Sequence, residues 1–343
     1  MPMPRLRRVS PATPGWSRRR AGRGFTYLDQ NGRAVPAEER ARIEALVIPP
    51  AWQDVWICPY PNGHLQATGV DAAGRRQYLY HPIWRERRDR AKFERVAEAA
   101  ERLPSVRRRV SRDLGKDGMP LERAAALAVR LLDLGYFRVG NDVYAEANGS
   151  FGLTTLRRSH VRQEQDKLMF RFRGKAGVEH EIGIADPDVI EAVQTLRRRR
   201  GGGRLLAYRA GNRWLHLTSR LVNSYLADLF GGTFTARDFR TWHATVIAAE
   251  ALALSDEPGT TAASRRRAER HAVNEVAFYL GNTPATARNA YIDPRVFDAY
   301  QAGITIGDAA SGRYRSWRQR RTALEGATLD LLNKAPELAA ARQ

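Results

Sequence analysis

The chain has one cysteine, Cys58, among its 343 residues, which excludes an intrachain disulfide framework. No apolar run approaches the length of a membrane-spanning helix, so none is expected. Met1 to Arg20 is basic but has no apolar stretch, which excludes a secretory signal. That segment weakly resembles a transit peptide, and a disordered basic tail is the preferred reading. Acidic side chains are scarce. Asp and Glu number 37 against 57 Lys and Arg, a net charge of +20. With 43% hydrophobic and 27% charged residues the balance is otherwise that of a folded protein, so the excess charge points to a polyanionic partner.

Signatures of bound cofactors are also missing. The seven histidines are scattered, with no pair at metal-ligand spacing, and one cysteine adds little. Lys116 and Lys175 each follow a glycine but lack the earlier glycine of a phosphate-binding loop. Gly201-Gly202-Gly203 is not a dinucleotide fingerprint, and Gly149-Ser150-Phe151-Gly152 lacks the first glycine of a nucleophile elbow. Any chemistry would therefore use side chains alone, without ATP, cofactor or tightly held metal. The expectation is a cytoplasmic, nucleoid-associated protein whose partner is double-stranded DNA and which acts without a membrane.

Periodicity divides the chain into a basic disordered tail over 1–24, a small antiparallel sheet domain over 25–90 and a mostly helical domain over 91–343. In the sheet domain, strands are expected at Phe25–Leu28, Val55–Cys58, Leu65–Thr68 and Gln77–Tyr80, with a short helix at Ala37–Glu44. Asn31-Gly32, Pro61-Asn62-Gly63 and Asp71–Gly74 read as turns. Beyond Pro82, helices are expected over 83–112 and from Leu121 to a break at Gly135. Three strands follow, at Leu153–Leu156, Lys167–Phe172 and Glu179–Ile184. From Pro187 the pattern is helical to the end, near 187–199, 218–229, 237–254, 264–280, 284–291, 294–302 and 315–341. The fold class is α+β.

Four separated pieces suggest chemistry. Leu280-Gly281-Asn282-Thr283-Pro284 ends one helix and opens another that carries Tyr291 about two turns along. Arg138 lies in Tyr136-Phe137-Arg138-Val139-Gly140, Arg240 in Asp238-Phe239-Arg240-Thr241, and Lys175 in a Gly-flanked turn. Alone, Tyr291 would be an ordinary packed tyrosine and Lys175 a solvated loop lysine. Together with the block from Gly69 to Tyr80, and in this order, they closely resemble the type IB DNA topoisomerases of the poxvirus and bacterial group. The resemblance runs from about Pro49 to Pro294.

It implies a small sheet domain and a helical catalytic domain that close around duplex DNA as a clamp. It also implies that a monomer, without ATP, relaxes supercoils of either sign. Tyr291 would attack a phosphodiester to form a 3′-phosphotyrosyl bond, an exchange of esters that costs little free energy. Arg138 and Arg240 would neutralise the charge gathering on the phosphate oxygens. Lys175 would protonate the departing 5′ oxygen, and Asn282 would donate a hydrogen bond. Water or the field of the arginines would help Tyr291 lose its proton. Many family members have histidine at the position of Asn282, and asparagine cannot shuttle a proton. Viral members have lysine where this chain has Asn141, whereas Tyr144 matches.

The DNA-contact residues implied are Gln77, Tyr78, Tyr80, Arg75, Arg76, Tyr144 and Arg237. Tyr78 and Tyr80 share one strand face and Gln77 lies opposite. Tyr80 equally fits a half-buried core aromatic, Arg75 and Arg76 a solvated turn, and Arg237 a surface helix start. The arginine runs at 107–109, 197–200 and 265–267 fit general electrostatics, while His243, Trp242 and Cys58 fit packing. A site-specific tyrosine recombinase shares the Arg, Lys, Arg and Tyr set and is the alternative. The sheet domain argues against it. A nucleoid-binding protein without activity is the third reading.

Overall fold

Residues 5–140, 149–232, 234–255 and 261–340 are described by a computed structural model. The chain divides into two units, Met1–Lys92 and Phe93–Gln343, and the hydrophobic residues form two separate cores.

In the first unit five short strands make one antiparallel sheet. They are β1 (Trp16–Ala21), β2 (Gly24–Leu28), β3 (Gln53–Ile57), β4 (Leu65–Val70) and β5 (Arg76–Tyr80), in spatial order β2-β1-β3-β4-β5. The helix α1 (Ala37–Ala45) adds Ile43 to a core of Tyr27, Val35, Ile48, Val55, Ile57 and Ala67. Two turns use the same chemistry. Asp29 Oδ1 accepts from the amides of Asn31 and Arg33, both at 2.8 Å. Asp71 Oδ1 accepts from Ala73 and Arg75, both at 2.9 Å, and so closes β4 onto β5.

β1 corrects the expectation of a disordered tail through residue 24. Its arginines read as solvated charge in sequence, but Arg18 is a cross-tie. Its guanidinium donates to the carbonyls of Ile48 (3.0 Å), Pro49 (3.0 Å) and Trp52 (2.7 Å) and lies 4.1 Å from the Phe25 ring centroid. Further upstream, the amide of Arg7 donates to Asn62 and the amide of His64 to Arg7, each at 2.9 Å.

From Pro82 helices dominate: α2 (Pro82–Glu101), α3 (Leu103–Leu114) and α4 (Leu121–Gly135). A three-stranded antiparallel sheet follows, β6 (Val161–Glu164), β7 (Lys167–Arg173) and β8 (Glu179–Ile184). Then come α5 (Pro187–Arg198), the hairpin β9 (Ala207–Ala210) and β10 (Arg213–His216), and α6 (Ser219–Phe230). The remaining helices are α7 (Ala236–Ala253), α8 (Ala262–Leu280), α9 (Pro284–Ala290), α10 (Arg295–Gln301), α11 (Gly307–Ser311) and α12 (Trp317–Ala340).

Two expectations fail here. Leu153–Leu156 is not a strand. Leu153–Thr155 forms a single 3₁₀ turn in which Gly152 donates to Thr155 Oγ1 at 2.9 Å, and Val161–Glu164 takes the outer place in the sheet. The stretch after Pro187 is not wholly helical either, because β9 and β10 fold back at Gly211 with φ +57°.

The second core is built on α4, whose Leu127, Leu131 and Leu132 are fully buried. Asp133 on the same helix is buried beside arginines from two others. Arg107 of α3 reaches it at 2.9 Å and Glu325 of α12 at 2.6 Å, and Arg321 of α12 also pairs with Asp133. Burial opposes ionisation of both acids, but the arginines outweigh it and hold both below the usual carboxylate range. Arg107, read from sequence as general electrostatics, is thus an internal tie.

Asp133→Ala leaves Arg107 and Arg321 to share Glu325 alone and should cost about 3–5 kcal/mol in denaturant unfolding. Because the folded pKa values of Asp133 and Glu325 are depressed, their contribution is complete above the unfolded value of about 4 and declines as the pH falls below it. Unfolding midpoints measured down the acid range should show that loss in the parent and less of it in Asp133→Ala.

Candidate active site

α4 ends where a helix cannot continue. A Cβ at Gly135 would lie 2.3 Å from the Phe137 ring. Tyr136 then takes left-handed dihedrals, φ 55° and ψ 22°, at a cost of roughly 1–2 kcal/mol for a residue with a side chain. Neighbours hold it there. Its carbonyl accepts from Arg240, and its ring meets His243 edge-on with centroids 5.0 Å apart. The chain leaves this turn as Phe137-Arg138-Val139-Gly140. Leu153 donates to the Arg138 carbonyl and Thr154 to that of Val139, each at 2.8 Å. The contact is backbone to backbone, since a Cβ at Gly152 would sit 2.5 Å from the Gly140 Cα. Here lies the role of Gly140 and Gly152: they let two segments touch.

Arg240 stands near the start of α7, which opens with Asp238 accepting from the amide (2.9 Å) and hydroxyl (2.8 Å) of Thr235. Besides the Tyr136 carbonyl, its guanidinium donates to that of Leu280 at 2.7 Å. Leu280 ends α8, and Gly281 follows in the left-handed region at φ 58°. The Asn282 amide returns to the Ala277 carbonyl at 3.0 Å. Thr283 caps α9 by accepting from Thr286 at 3.2 Å, and Pro284 occupies its first turn. Tyr291 is the C-cap of α9, and its amide donates to the Ala287 carbonyl at 3.1 Å.

These elements surround a cleft of about 830 Å³ lined by Arg138, Lys175, Arg237, Arg240, Asn282 and Tyr291, among others. The Arg138 guanidinium donates to the Gly281 carbonyl at 2.8 Å and to Asn282 Oδ1. The Asn282 Nδ2 is buried and has no hydrogen-bond partner among the described residues, so both of its N–H donors are unpaired. Tyr291 is half-buried, with the Arg240 and Arg237 guanidinium carbons 5.3 and 5.6 Å from its ring centroid. Burial pushes its phenol up, but Arg240, Arg237 and Arg138 outweigh it and leave the phenol below its ordinary value. Burial, then Arg138, pulls Arg240 down to about 10, still charged at neutrality. Lys175 sits exposed in the β7–β8 turn, where Ala176 and Gly177 both take positive φ.

The residues expected to contact DNA fall into two groups. Arg237, exposed in the first turn of α7, lines the cleft. Gln77, Tyr78, Tyr80, Arg75 and Arg76 lie in the first unit, on β5 or just before it. Tyr78 and Tyr80 are 47% and 40% exposed with near-parallel rings 6.1 Å apart, so the core reading of Tyr80 is set aside. Gln77 Nε2 donates to Asp71 Oδ2 at 2.8 Å, and Arg75 pairs with the same oxygen at 2.8 Å. The Arg75 hydrogen bond leads in holding the Asp71 carboxyl at about 2. Arg76 is exposed. Tyr144 and Asn141 lie outside the described residues.

One residue at the site escaped sequence reasoning. His180 of β8 reaches Arg138, with Nε2 3.4 Å from Nη1. Its signal would have been its place two strand positions before Ile182 and opposite Phe172, which only the ladder register reveals. His243 packs in the core against Tyr136 and Phe239.

Comparison with known proteins is consistent over most of the length. The family profile of the eukaryotic DNA topoisomerase I catalytic core matches residues 82–311, and that of the bacterial DNA topoisomerase IB N-terminal domain matches residues 24–71. The DNA topoisomerase 1B of Acanthamoeba polyphaga mimivirus is 30% identical over 296 residues, covering 84% of this chain and 88% of the viral protein. DNA topoisomerase 1 of Schizosaccharomyces pombe is 27% identical over 168 residues, 48% of this chain and 19% of that protein. The DNA topoisomerase 1B of vaccinia virus strain Copenhagen is 27% identical over 120 residues, 34% and 37% of the two chains.

The arginines should govern the acidity of Tyr291. Removing the exposed Arg237 by Arg237→Ala takes one positive charge from beside the phenol and should raise its pKa. Titration followed by NMR on carbon-labelled tyrosine, with Tyr291→Phe assigning the signal, measures the shift. An unchanged or lower pKa would contradict this account of the cleft.

Proposed function

The chain belongs to the type IB DNA topoisomerases, and on that premise we propose that it relaxes supercoils of either sign, without ATP, through a single-strand break held on Tyr291. The supporting observation is the convergence of two guanidinium groups on the ring of a phenol whose pKa they lower. In the proposed step the Tyr291 oxygen attacks phosphorus and loses its proton to solvent. The bond from phosphorus to the 5′ oxygen breaks, and Lys175 protonates that oxygen as it leaves. Religation is the same exchange in reverse, with the 5′ hydroxyl as nucleophile.

Arg138 and Arg240 offset the charge that builds on the non-bridging oxygens. Both are pinned to backbone carbonyls, so little reorganisation accompanies the transition state. The free Nδ2 of Asn282 supplies a neutral donor to the same oxygens and moves no proton. Arg237 adds positive field at the mouth of the cleft. In the first unit, the stacked Tyr78 and Tyr80, with Arg76, Arg75 and Gln77, would meet the duplex, as would Tyr144 in the second. The two units together would grip it. The five reacting residues come from one chain, which supports action as a monomer. The match to a bacterial-type N-terminal domain supports work on the nucleoid in a bacterial cytoplasm, and that match and the five-stranded sheet favour a topoisomerase over a tyrosine recombinase.

Supercoiled plasmid incubated in EDTA without ATP should be relaxed whichever the sign of its supercoils, and stopping with SDS should trap a protein–DNA adduct. Tyr291→Phe should abolish both, and relaxation by that variant would overturn the assignment. Asn282→Ala should slow single-turnover cleavage on the order of 10²-fold, as loss of an oxyanion donor does. A rate equal to the parent's would remove Asn282 from the mechanism.

A further inference from the structure

His180 has no part in the steps above, yet its ring touches three segments of the site. Across the β7–β8 ladder it pairs with Phe172 and stacks on that ring, centroids 5.1 Å apart and planes 20° from parallel. Its Nε2 faces Arg138 Nη1 at 3.4 Å. A Cβ added to Gly174 would come within 2.5 Å of His180 Cδ2, and one added to Gly281 within 2.4 Å of Cε1. Those glycines immediately precede Lys175 and Asn282. The imidazole therefore fills the space between the turn that carries the lysine, the turn that carries the asparagine, and the first arginine. Burial, then the charges of Arg138 and Arg240, hold it down to about 4, so at neutral pH Nε2 can accept from the arginine.

Lys175 needs such a support. It makes no side-chain hydrogen bond or ion pair among the described residues, and the turn around it is closed only by short backbone bonds, Gly174 to Val178 at 2.7 Å and Gly177 to Gly174 at 3.1 Å. At the base of the hairpin the Phe151 amide donates to the Arg173 carbonyl at 2.8 Å, but among the described residues no hydrogen bond reaches from the turn beyond it to the rest of the site.

We propose that His180 is a positioning residue, a wedge that seats the Lys175 hairpin against Arg138 and the Gly281–Asn282 turn so that the ammonium stands at the departing 5′ oxygen. The inference rests on the reading of Lys175 as the proton donor. It assigns His180 no proton of its own to transfer.

The test compares single-turnover cleavage of two duplexes that differ in one bridging atom at the scissile phosphate, oxygen or sulfur at the 5′ position. A thiolate leaves without needing a proton donor, its conjugate acid having a pKa of about 8.5. His180→Ala should cleave the oxygen duplex on the order of 10²-fold more slowly, the scale of a small misplacement of a reacting group. Its DNA affinity should be unchanged, and most of the rate should return on the sulfur duplex. Lys175→Ala should show the same pattern, and His180→Gln, which keeps an acceptor and some bulk, should fall between. Thermal melts establish that each variant is folded, and His180→Gln carries the comparison if His180→Ala is not. Parent-like cleavage of the oxygen duplex by the folded variant overturns the proposal. So does a defect equal on both duplexes while Lys175→Ala is rescued by sulfur, which would leave the proton-donor reading intact. If Lys175→Ala itself is not rescued, the proton-donor reading falls and the wedge with it.

Discussion

The buried guanidinium of Arg240 is the fixed point of the site. It joins the carbonyl of Tyr136 at the end of one helix to that of Leu280 at the end of another, 104 and 40 residues away in sequence. Arg138 lies two residues beyond the first carbonyl and Asn282 two beyond the second. One side chain thus fixes the origins of both turns while its guanidinium carbon stands 5.3 Å from the Tyr291 ring centroid. A lysine could not do this, because the task requires divergent donors held in one plane. The left-handed backbone at Tyr136 and the left-handed glycine at 281 are the local strain and the local freedom that let the two helix ends meet there.

Two arginine groups in the second unit illustrate opposite uses of one residue type. Around Asp133, guanidinium groups and carboxylates neutralise one another in the core, and the result is a tie between three helices. Around Tyr291, Arg138, Arg237 and Arg240 gather with no carboxylate among the described residues lining the cleft. Placing like charges together is unfavourable in isolation: burial first, then the charge of Arg138, lowers the pKa of Arg240. The phenolate form of Tyr291 relieves it in part, and a phosphodiester would relieve it more. The cleft thus favours an anion through the charge left uncompensated within it.

The strongly periodic parts of the chain were legible in the sequence. The Ala- and Leu-rich pattern of α4, the Gly281 stop followed by Pro284, and the β-prone runs of the first sheet follow from local rules. That residues 138, 175, 240, 282 and 291 line one cleft was legible only through the resemblance to a family, since no spacing in sequence says so. What stayed hidden depends on tertiary partners. β1 reads as a solvated basic stretch until Arg18 is seen to meet three carbonyls. Leu153–Leu156 carries a strand-like composition, but Thr155 satisfies the local backbone and the segment closes as a turn. The β9–β10 hairpin is too short to stand out against the helices on either side. His180 gave no signal because its importance lies in two glycines, 174 and 281, that are far apart until the chain folds.

Arginine is also the mortar of this fold. Arg18 gathers carbonyls from the loop before β3, and Arg199 donates to those of Leu196 (2.9 Å) and Leu205 (2.7 Å). Arg158 reaches the carbonyl of Arg199 at 2.6 Å, and Arg102 that of Phe230 at 3.0 Å. Each replaces a missing backbone donor at a helix end or an irregular segment. The formal charge of the chain is therefore a poor guide to the charge it can offer a phosphate. Recoding these positions as lysine would give a protein of identical net charge at neutral pH whose loops had lost their planar, forked braces: equal in charge to this one, but not isostructural.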